Sequence, residues 1–331
     1  MELLARERLP NGPGAWLAPF VARLYLGRPE LAGLIAIKYG TWRAITRAIW
    51  NEVLFRTGRT TGYKLVSANF EVTNACNLSC TICPVNQGMK RARARLDAAR
   101  FERFLDENPD LEFVLLFQWG EPLLVKDLPE MIAAATARNV RTMITTNGTL
   151  LDAEWCERLL DAGLNRLTMS VDGDPESHKE IRGIDLEPLR VNLLRLRRMR
   201  DERRSRMGID VSMVVNERTE RCWPEVKASW SGIADRLQAI PQFMIKARRN
   251  PCREPNRGGL VVLSDGSVTV CCSDPEGDAI VGHIDDGPLS ELLNGENMQA
   301  FRRAHFDRQF PDICADCGEF DTDIAGARFE E

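Results

Sequence analysis

From about residue 66 to residue 246 short apolar and β-branched runs alternate with longer stretches whose apolar residues recur every three or four positions. The short runs predict strands at Val66–Val72, Phe113–Trp119, Thr142–Thr146, Arg166–Val171, Asp210–Val215 and Leu237–Ile245. The longer stretches predict helices at Ala98–Glu107, Leu128–Arg138, Ala153–Ala162, Glu187–Arg204 and Trp223–Gly232. Alternation of this kind predicts an α/β fold, a parallel sheet with helices outside it. Six such units fit a partial (β/α)6, TIM-like barrel, in which reactive groups lie at the C-terminal ends of the strands.

Two flanking regions break the pattern. Residues 1–65 predict helices near Trp16–Leu26 and Gly40–Arg56, with ten Lys and Arg against four Asp and Glu. This segment reads either as a basic amphipathic surface for a membrane or acidic partner, or as a helical cap packed on the barrel with its basic face in water. Residues 247–331 form a third region. There, Ser264-Asp265-Gly266-Ser267 between two β-like runs predicts a hairpin, and Leu289–Arg303 predicts a helix, so the region reads as a small hairpin-plus-helix module.

Composition narrows the function classes. The chain has 331 residues, 44% hydrophobic and 28% charged, with a net charge of −4, which gives no case for nucleic acid binding. Eight arginines between Arg190 and Arg206 lack interleaved aromatics and read as a solvated helix face. Ten cysteines are too few for a disulfide scaffold. With no signal-peptide pattern and no apolar run long enough to span a membrane, a cytoplasmic protein whose cysteines are mostly ligands is expected.

Three cysteines stand in Thr73-Asn-Ala-Cys76-Asn-Leu-Ser-Cys80-Thr-Ile-Cys83-Pro84, a Cys-x3-Cys-x2-Cys spacing directly after the first predicted strand. Thiolates suit iron–sulfur clusters and zinc. A closed zinc site needs a fourth ligand, and none follows nearby, so one metal corner stays open. This loop resembles that of radical S-adenosylmethionine (SAM) enzymes. The resemblance implies a 4Fe-4S cluster on Cys76, Cys80 and Cys83, with SAM chelating the open iron. It also implies reductive cleavage of SAM to a 5′-deoxyadenosyl radical that abstracts a substrate hydrogen, and an electron donor such as flavodoxin or ferredoxin.

Later strand ends carry further parts of the resemblance. Gln118-Trp119-Gly120-Glu121-Pro122 is similar to the family's Gly-Gly-Glu-Pro, with Trp119 in place of the first Gly. The resemblance assigns the SAM amino group to Glu121 and the Gly120 backbone, beside Pro122. Thr145-Thr146-Asn147-Gly148 resembles the turn lining the SAM pocket, and Thr146 and Asn147 are carried over. Ser170 and Asp172 offer short polar side chains for ribose hydroxyls. Arg182, in His178…Arg182-Gly183, offers a guanidinium fork for the SAM carboxylate, with a structural Arg as the alternative. His178 reads as a capping or packing residue. Asn216 is a further polar position near the adenosine.

A second cysteine set follows: Cys252, Gly266-x4-Cys271, then Cys314-x2-Cys317. It resembles the SPASM or twitch module of the same enzymes, which binds auxiliary 4Fe-4S clusters. No cysteine follows Cys317, so one auxiliary cluster is expected, two clusters in all; structural zinc is the alternative. Neighbours on a strand face opposite ways, so only one of Cys271 and Cys272 should ligate, and the spacing selects Cys271. Cys156 and Cys222 read as buried small hydrophobes. The expected activity is a hydrogen-abstracting, oxidoreductase-like modification in a biosynthetic pathway. Its substrate is a small polar molecule in the favoured reading and a ribosomal peptide in the alternative. A reading of another class is a non-catalytic zinc or iron–sulfur protein.

Overall fold

The computed structural model of the chain describes residues 41–216, 218–242 and 247–317. The helix expected near Trp16–Leu26 lies outside these residues. Strands β1 (Ser67–Phe70), β2 (Phe113–Leu115), β3 (Arg141–Thr146), β4 (Arg166–Val171), β5 (Gly208–Val215) and β6 (Arg236–Pro241) pair in sequence, every pair parallel. The sheet order is β6-β5-β4-β3-β2-β1-β7-β8-β9. β6 and β9 are its two edges, so the barrel is partial, as expected.

Helices α1 (Trp42–Arg56), α2 (Ala98–Glu107), α3 (Leu128–Ala137), α4 (Ala153–Asp161), α5 (Pro175–Arg182), α6 (Leu186–Glu202) and α7 (Trp223–Trp230) occupy the chain through the barrel. Their starts follow local chemistry: the Asp97, Asp152 and Asp174 carboxylates accept the N–H groups of Arg100, Trp155 and Ser177, satisfying donors a helix leaves unpaired. Side chains alternate along β4. Leu167, Met169 and Val171 are fully buried in one core with Leu193 and Leu196 of α6. Thr168 and Ser170 take the opposite, inner face. Register sets Thr168 beside Asp210 and Ser170 beside Ser212, and Ser212 beside Gln238. The inner face of β4–β6 is therefore polar through Ser170, Ser212 and Gln238 and turns apolar beyond them at the paired Val214 and Ile240. Near its N-terminal end the buried Asp210 carboxylate accepts from Arg166, Arg236 and Gln238 at 2.6, 2.6 and 3.0 Å.

The C-terminal region continues this sheet. β7 (Gly259–Val262) pairs parallel with β1, from Ser67↔Gly259 to Phe70↔Val262, and β8 (Ser267–Thr269) and β9 (Ile280–His283) follow antiparallel. The hairpin expected at Ser264–Ser267 is the β7–β8 turn, with the Gly266 N–H donating to the Leu263 carbonyl at 2.9 Å. The sheet thus runs across the boundary expected at residue 246. α1 lies against this region: Ala44, Ile45, Ala48 and Leu54 are buried, and Glu52 pairs with Arg253 at 2.5 Å. Among the described residues no helix is long and apolar enough to cross a membrane.

Two expectations are corrected, and one helix is added. The helix expected over Leu289–Arg303 is two, α8 (Leu289–Leu292) and α9 (Glu296–Phe306), followed by α10 (Asp312–Ala315). The break falls at Asn294, whose side chain caps the Ser290 carbonyl at 2.9 Å and also bonds the N–H groups of Gly62 and Tyr63 and the Tyr63 carbonyl, each at 2.9 Å. The strand expected to reach Trp119 stops at Leu115, because Gln118 and Gly120 turn toward other loops. α5 went unread because its sequence is strongly polar.

Candidate functional site

Cys76, Cys80 and Cys83 are free, half-buried thiols in the loop that leaves β1. Asn74 clamps this loop to the returning chain, its amide donating to the Ala92 carbonyl at 2.9 Å and accepting from Ala94 N–H at 2.8 Å. The Thr81 N–H reaches the Ile181 carbonyl at 2.9 Å, tying the loop to α5. Burial raises all three thiols, while the Arg182 charge opposes the rise at Cys80 and Cys83. A thiolate donor set with a cation beside it fits a metal cluster.

Gly120 and Glu121 brace the same loop. Gly120 has φ +105°, and a Cβ there would lie 2.4 Å from the Thr73 carbonyl oxygen and 2.7 Å from that of Ala75. Only glycine admits both the conformation and the approach. The Glu121 N–H donates to the Ala75 carbonyl at 2.8 Å. Its carboxylate is buried, 1% exposed. It accepts from Thr146 Oγ1 at 2.7 Å, Asn147 N at 2.8 Å and Leu123 N at 3.0 Å. Burial still pushes this carboxyl up from its ordinary value. Pro122 opens the short turn that Leu123 continues. The Asn147 amide bonds Asn77 Oδ1 at 2.9 Å and lies 4.0 Å from Cys76 Sγ. Glu121, Thr146 and Asn147, separate in sequence, are one network joining the ends of β2 and β3 to the cysteine loop.

Asp172 and Arg182 are also joined, at 2.7 Å from Nε to Oδ2, both largely buried. Asp172 Oδ1 accepts from Val214 N at 3.2 Å, and the Asp172 N–H donates to His178 Nδ1 at 3.1 Å. Asp172 therefore spends its carboxylate on Arg182 and β5. Burial, with the Arg182 charge, pushes His178 down to about 3, so it is a neutral packing residue. Ser170 sits on the inner face. Asn216 closes its own turn, Oδ1 accepting from Arg218 and Thr219 N–H at 2.9 and 3.1 Å, and its amide bonds Gln242 at 2.8 Å.

Cys252, Cys271, Cys314 and Cys317 line one cavity, and Cys272 does not. Topology explains the convergence: Cys252 precedes β7, β8 runs back antiparallel, and Cys271 follows it at the same end of the hairpin. Burial pushes Cys252 up to about 12 and Cys314 up to about 11. Among the described residues no three of His, Cys, Asp and Glu close around a single ion; a four-iron cube asks for a wider spread. One local device recurs at both sites. The N–H two residues on donates to the sulfur of Cys76, Cys252 and Cys271, from Leu78, Glu254 and Ser273, at 3.5, 3.4 and 3.3 Å. Such donors favour the thiolate.

Sequence reasoning missed three residues. The Gln118 amide accepts from Asn69 at 2.5 Å and donates to the Cys272 carbonyl, spanning from β1 to the second cysteine set. Arg248, 6% exposed, donates from Nη2 to Cys317 Sγ at 3.2 Å. His305 is fully buried at the same cavity, and burial with the Arg248 charge pushes it down to about 4. No motif flags them. Only the apolar spacing of α9 hinted that position 305 faces inward.

Comparison with known proteins agrees with this geometry. Residues 70–227 match the radical SAM superfamily profile, and residues 252–318 the SPASM iron–sulfur cluster-binding domain. The PqqA peptide cyclase of Granulibacter bethesdensis is 38% identical over 116 residues, 34% of this chain and 31% of that protein. The AdoMet-dependent heme synthase of Nitratidesulfovibrio vulgaris is 32% identical over 117 residues, 35% of this chain and 32% of that protein. The matches thus span about a third of these relatives' length. Among solved structures, BtrN in complex with AdoMet and 2-DOIA superposes with a TM-score of 0.53 at 17% identity, covering 77% of this chain and 93% of that one. Streptococcus suis SuiB bound to precursor peptide SuiA gives 0.59 at 12% identity, covering 84% and 75%. Motifs, fold and both profiles agree: the chain belongs to the radical SAM superfamily, with a C-terminal SPASM domain, and its cofactors are SAM and two 4Fe-4S clusters.

Proposed function

We propose that this enzyme binds SAM at Cys76, Cys80 and Cys83, holds its auxiliary cluster on Cys252, Cys271, Cys314 and Cys317, and oxidises or otherwise modifies a small polar substrate. The observation that carries the substrate class is the polar inner face of β4–β6. Ser170 and Ser212 bring hydroxyl groups there and Gln238 its amide oxygen, the amide nitrogen being held by Asp210, where a barrel interior is ordinarily filled by bulky apolar side chains. When bound, SAM and its cluster supply a 5′-deoxyadenosyl radical able to take a hydrogen atom, and the auxiliary cluster supplies a place for an electron.

The chain's own residues bind and orient. A carboxylate offers about four acceptor positions, and Glu121 uses three on Thr146, Asn147 and Leu123; the fourth is left for the SAM ammonium. Arg182 Nε is held by Asp172, and its outer nitrogens suit the SAM carboxylate as a bidentate pair. Asp172 is then a positioning residue rather than a ribose contact. Gln118, between Asn69 and the Cys272 carbonyl, forms the wall between inner face and auxiliary site.

A peptide substrate is the second reading, favoured by the similarity to PqqA peptide cyclase. Anaerobic reconstitution should load about eight irons per chain, and SAM with dithionite should yield 5′-deoxyadenosine. Cys76→Ala should abolish that product, and Cys156→Ala should leave it intact. Stoichiometric zinc with no SAM turnover would sink the proposal. Deuterated sugars or cyclitols and deuterated peptides encoded by neighbouring genes separate the readings, by which class passes its label into 5′-deoxyadenosine.

A further inference from the structure

His305 has a fixed tautomer. Its Nδ1 faces the Cys252 N–H at 3.2 Å, and since a backbone N–H only donates, Nδ1 must accept. In a neutral imidazole the proton then sits on Nε2. Nε2 is buried and has no hydrogen-bond partner among the described residues. The ring is held by Phe301 and Phe310, centroids 5.0 and 5.3 Å away, and it lines the cavity of the four cysteines. An orphaned buried N–H carries the full desolvation penalty of the group, so something in that cavity should accept it. The same geometry rules His305 out as an iron ligand. Ligation through Nε2 would move the proton to Nδ1 and set two donors against each other.

Arg248 supplies a second donor to the cavity. Its Nη2 bonds Cys317 Sγ, while its N–H and Nε hold the Ala315 and Cys314 carbonyls at 2.8 and 3.3 Å. Donors to cluster sulfurs stabilise the more negative, reduced form and raise its potential.

We propose that His305 Nε2–H, beside Arg248, is a hydrogen-bond donor to the auxiliary cluster that raises its reduction potential; this rests on the assignment of Cys252, Cys271, Cys314 and Cys317 as ligands. His305→Asn keeps an acceptor, Oδ1, for the Cys252 N–H, and its shorter amide cannot place a donor where Nε2 stood. In the reconstituted full chain, the auxiliary signal is the one that SAM does not perturb. An EPR-monitored redox titration should find its reduced-to-oxidised ratio about tenfold lower in the variant at fixed potential, a 59 mV downward shift for a one-electron couple. The wild-type protein gives an independent readout. The chain has three histidines, and ¹⁵N-histidine labelling with pulsed EPR on the auxiliary signal should reveal a weak nitrogen coupling that His305→Asn lacks. An unshifted potential, an absent coupling, or a strong coupling typical of ligated nitrogen overturns the proposal. Absence of any SAM-insensitive cluster signal instead overturns the ligand assignment.

Discussion

Gly120→Ala tests whether the end of β2 sets the shape of the cysteine loop. At φ +105° an L side chain is strained, which costs about 1–3 kcal/mol. The new methyl would also sit 2.4 and 2.7 Å from two backbone oxygens of residues 73 and 75. Apolar contacts are comfortable near 3.5 Å or beyond, so backbone on one side must retreat by about 1 Å. Overpacking of this kind adds about 1–3 kcal/mol, for a combined cost of roughly 2–6 kcal/mol. The retreat also pulls the Ala75 carbonyl from the Glu121 N–H and shifts Cys76, one residue away. Anaerobic urea unfolding, iron content and 5′-deoxyadenosine yield should therefore all fall. Gly232→Ala is the control: φ is +77° there, but nothing lies within 4 Å of the added Cβ. It should show the conformational cost, about 1–2 kcal/mol, with full iron and full cleavage. If Gly120→Ala behaves like Gly232→Ala, the brace does not exist and the reasoning fails.

Glu121→Gln swaps one acceptor oxygen for an amide that faces donors, so about 1–3 kcal/mol of stability and SAM affinity should be lost together, by urea unfolding and calorimetric titration; loss of affinity alone would mean the network is not structural. Arg182→Met strands the buried Asp172 carboxylate, a cost of about 3–5 kcal/mol, and Arg182→Lys should recover part of the stability but little SAM binding; a stable Arg182→Met protein would refute the buried pair. His178 is held down to about 3 against about 6.5 unfolded, so the unfolded chain binds the extra proton first and stability falls as pH drops from 6.5 toward 3. Between pH 7 and 5.5 this contributes a loss of about 1 kcal/mol. His178→Asn, which keeps an acceptor for the Asp172 N–H, should flatten that part of the urea-unfolding profile, and an unchanged slope would refute it.

The legible parts of this molecule were those written in local pattern. Alternation along Arg166–Val171 located β4 to the residue because one face is wholly apolar and the other polar. The first three cysteines were legible because they stand within eight residues of one another, whereas Cys252, Cys271, Cys314 and Cys317 are spread along the chain and meet at one cavity only through the turn-back of β7 and β8. What escaped was long-range bonding. Nothing near Asp172 or Arg182 announces that they pair with each other, and Asn294 breaks a helix for partners more than 230 residues away. Parallel pairing of β7 with β1 is likewise invisible in either strand, since a short apolar run carries no mark of its neighbour.

That pairing makes a ruler. The SAM-cluster loop leaves the C-terminal end of β1, and the cysteines of the second set gather toward the N-terminal end of β7, the strand hydrogen-bonded to it. Between them runs a ladder of four residue pairs, about 10 Å of strand. Backbone pairing of this kind is among the stiffest parts of a fold, so β1 and β7 themselves put no hinge between the first cysteine loop and the start of the second set. On the ligand assignment proposed above, the span between the two clusters is set by these strands, and opening for substrate falls to the loops on the rim.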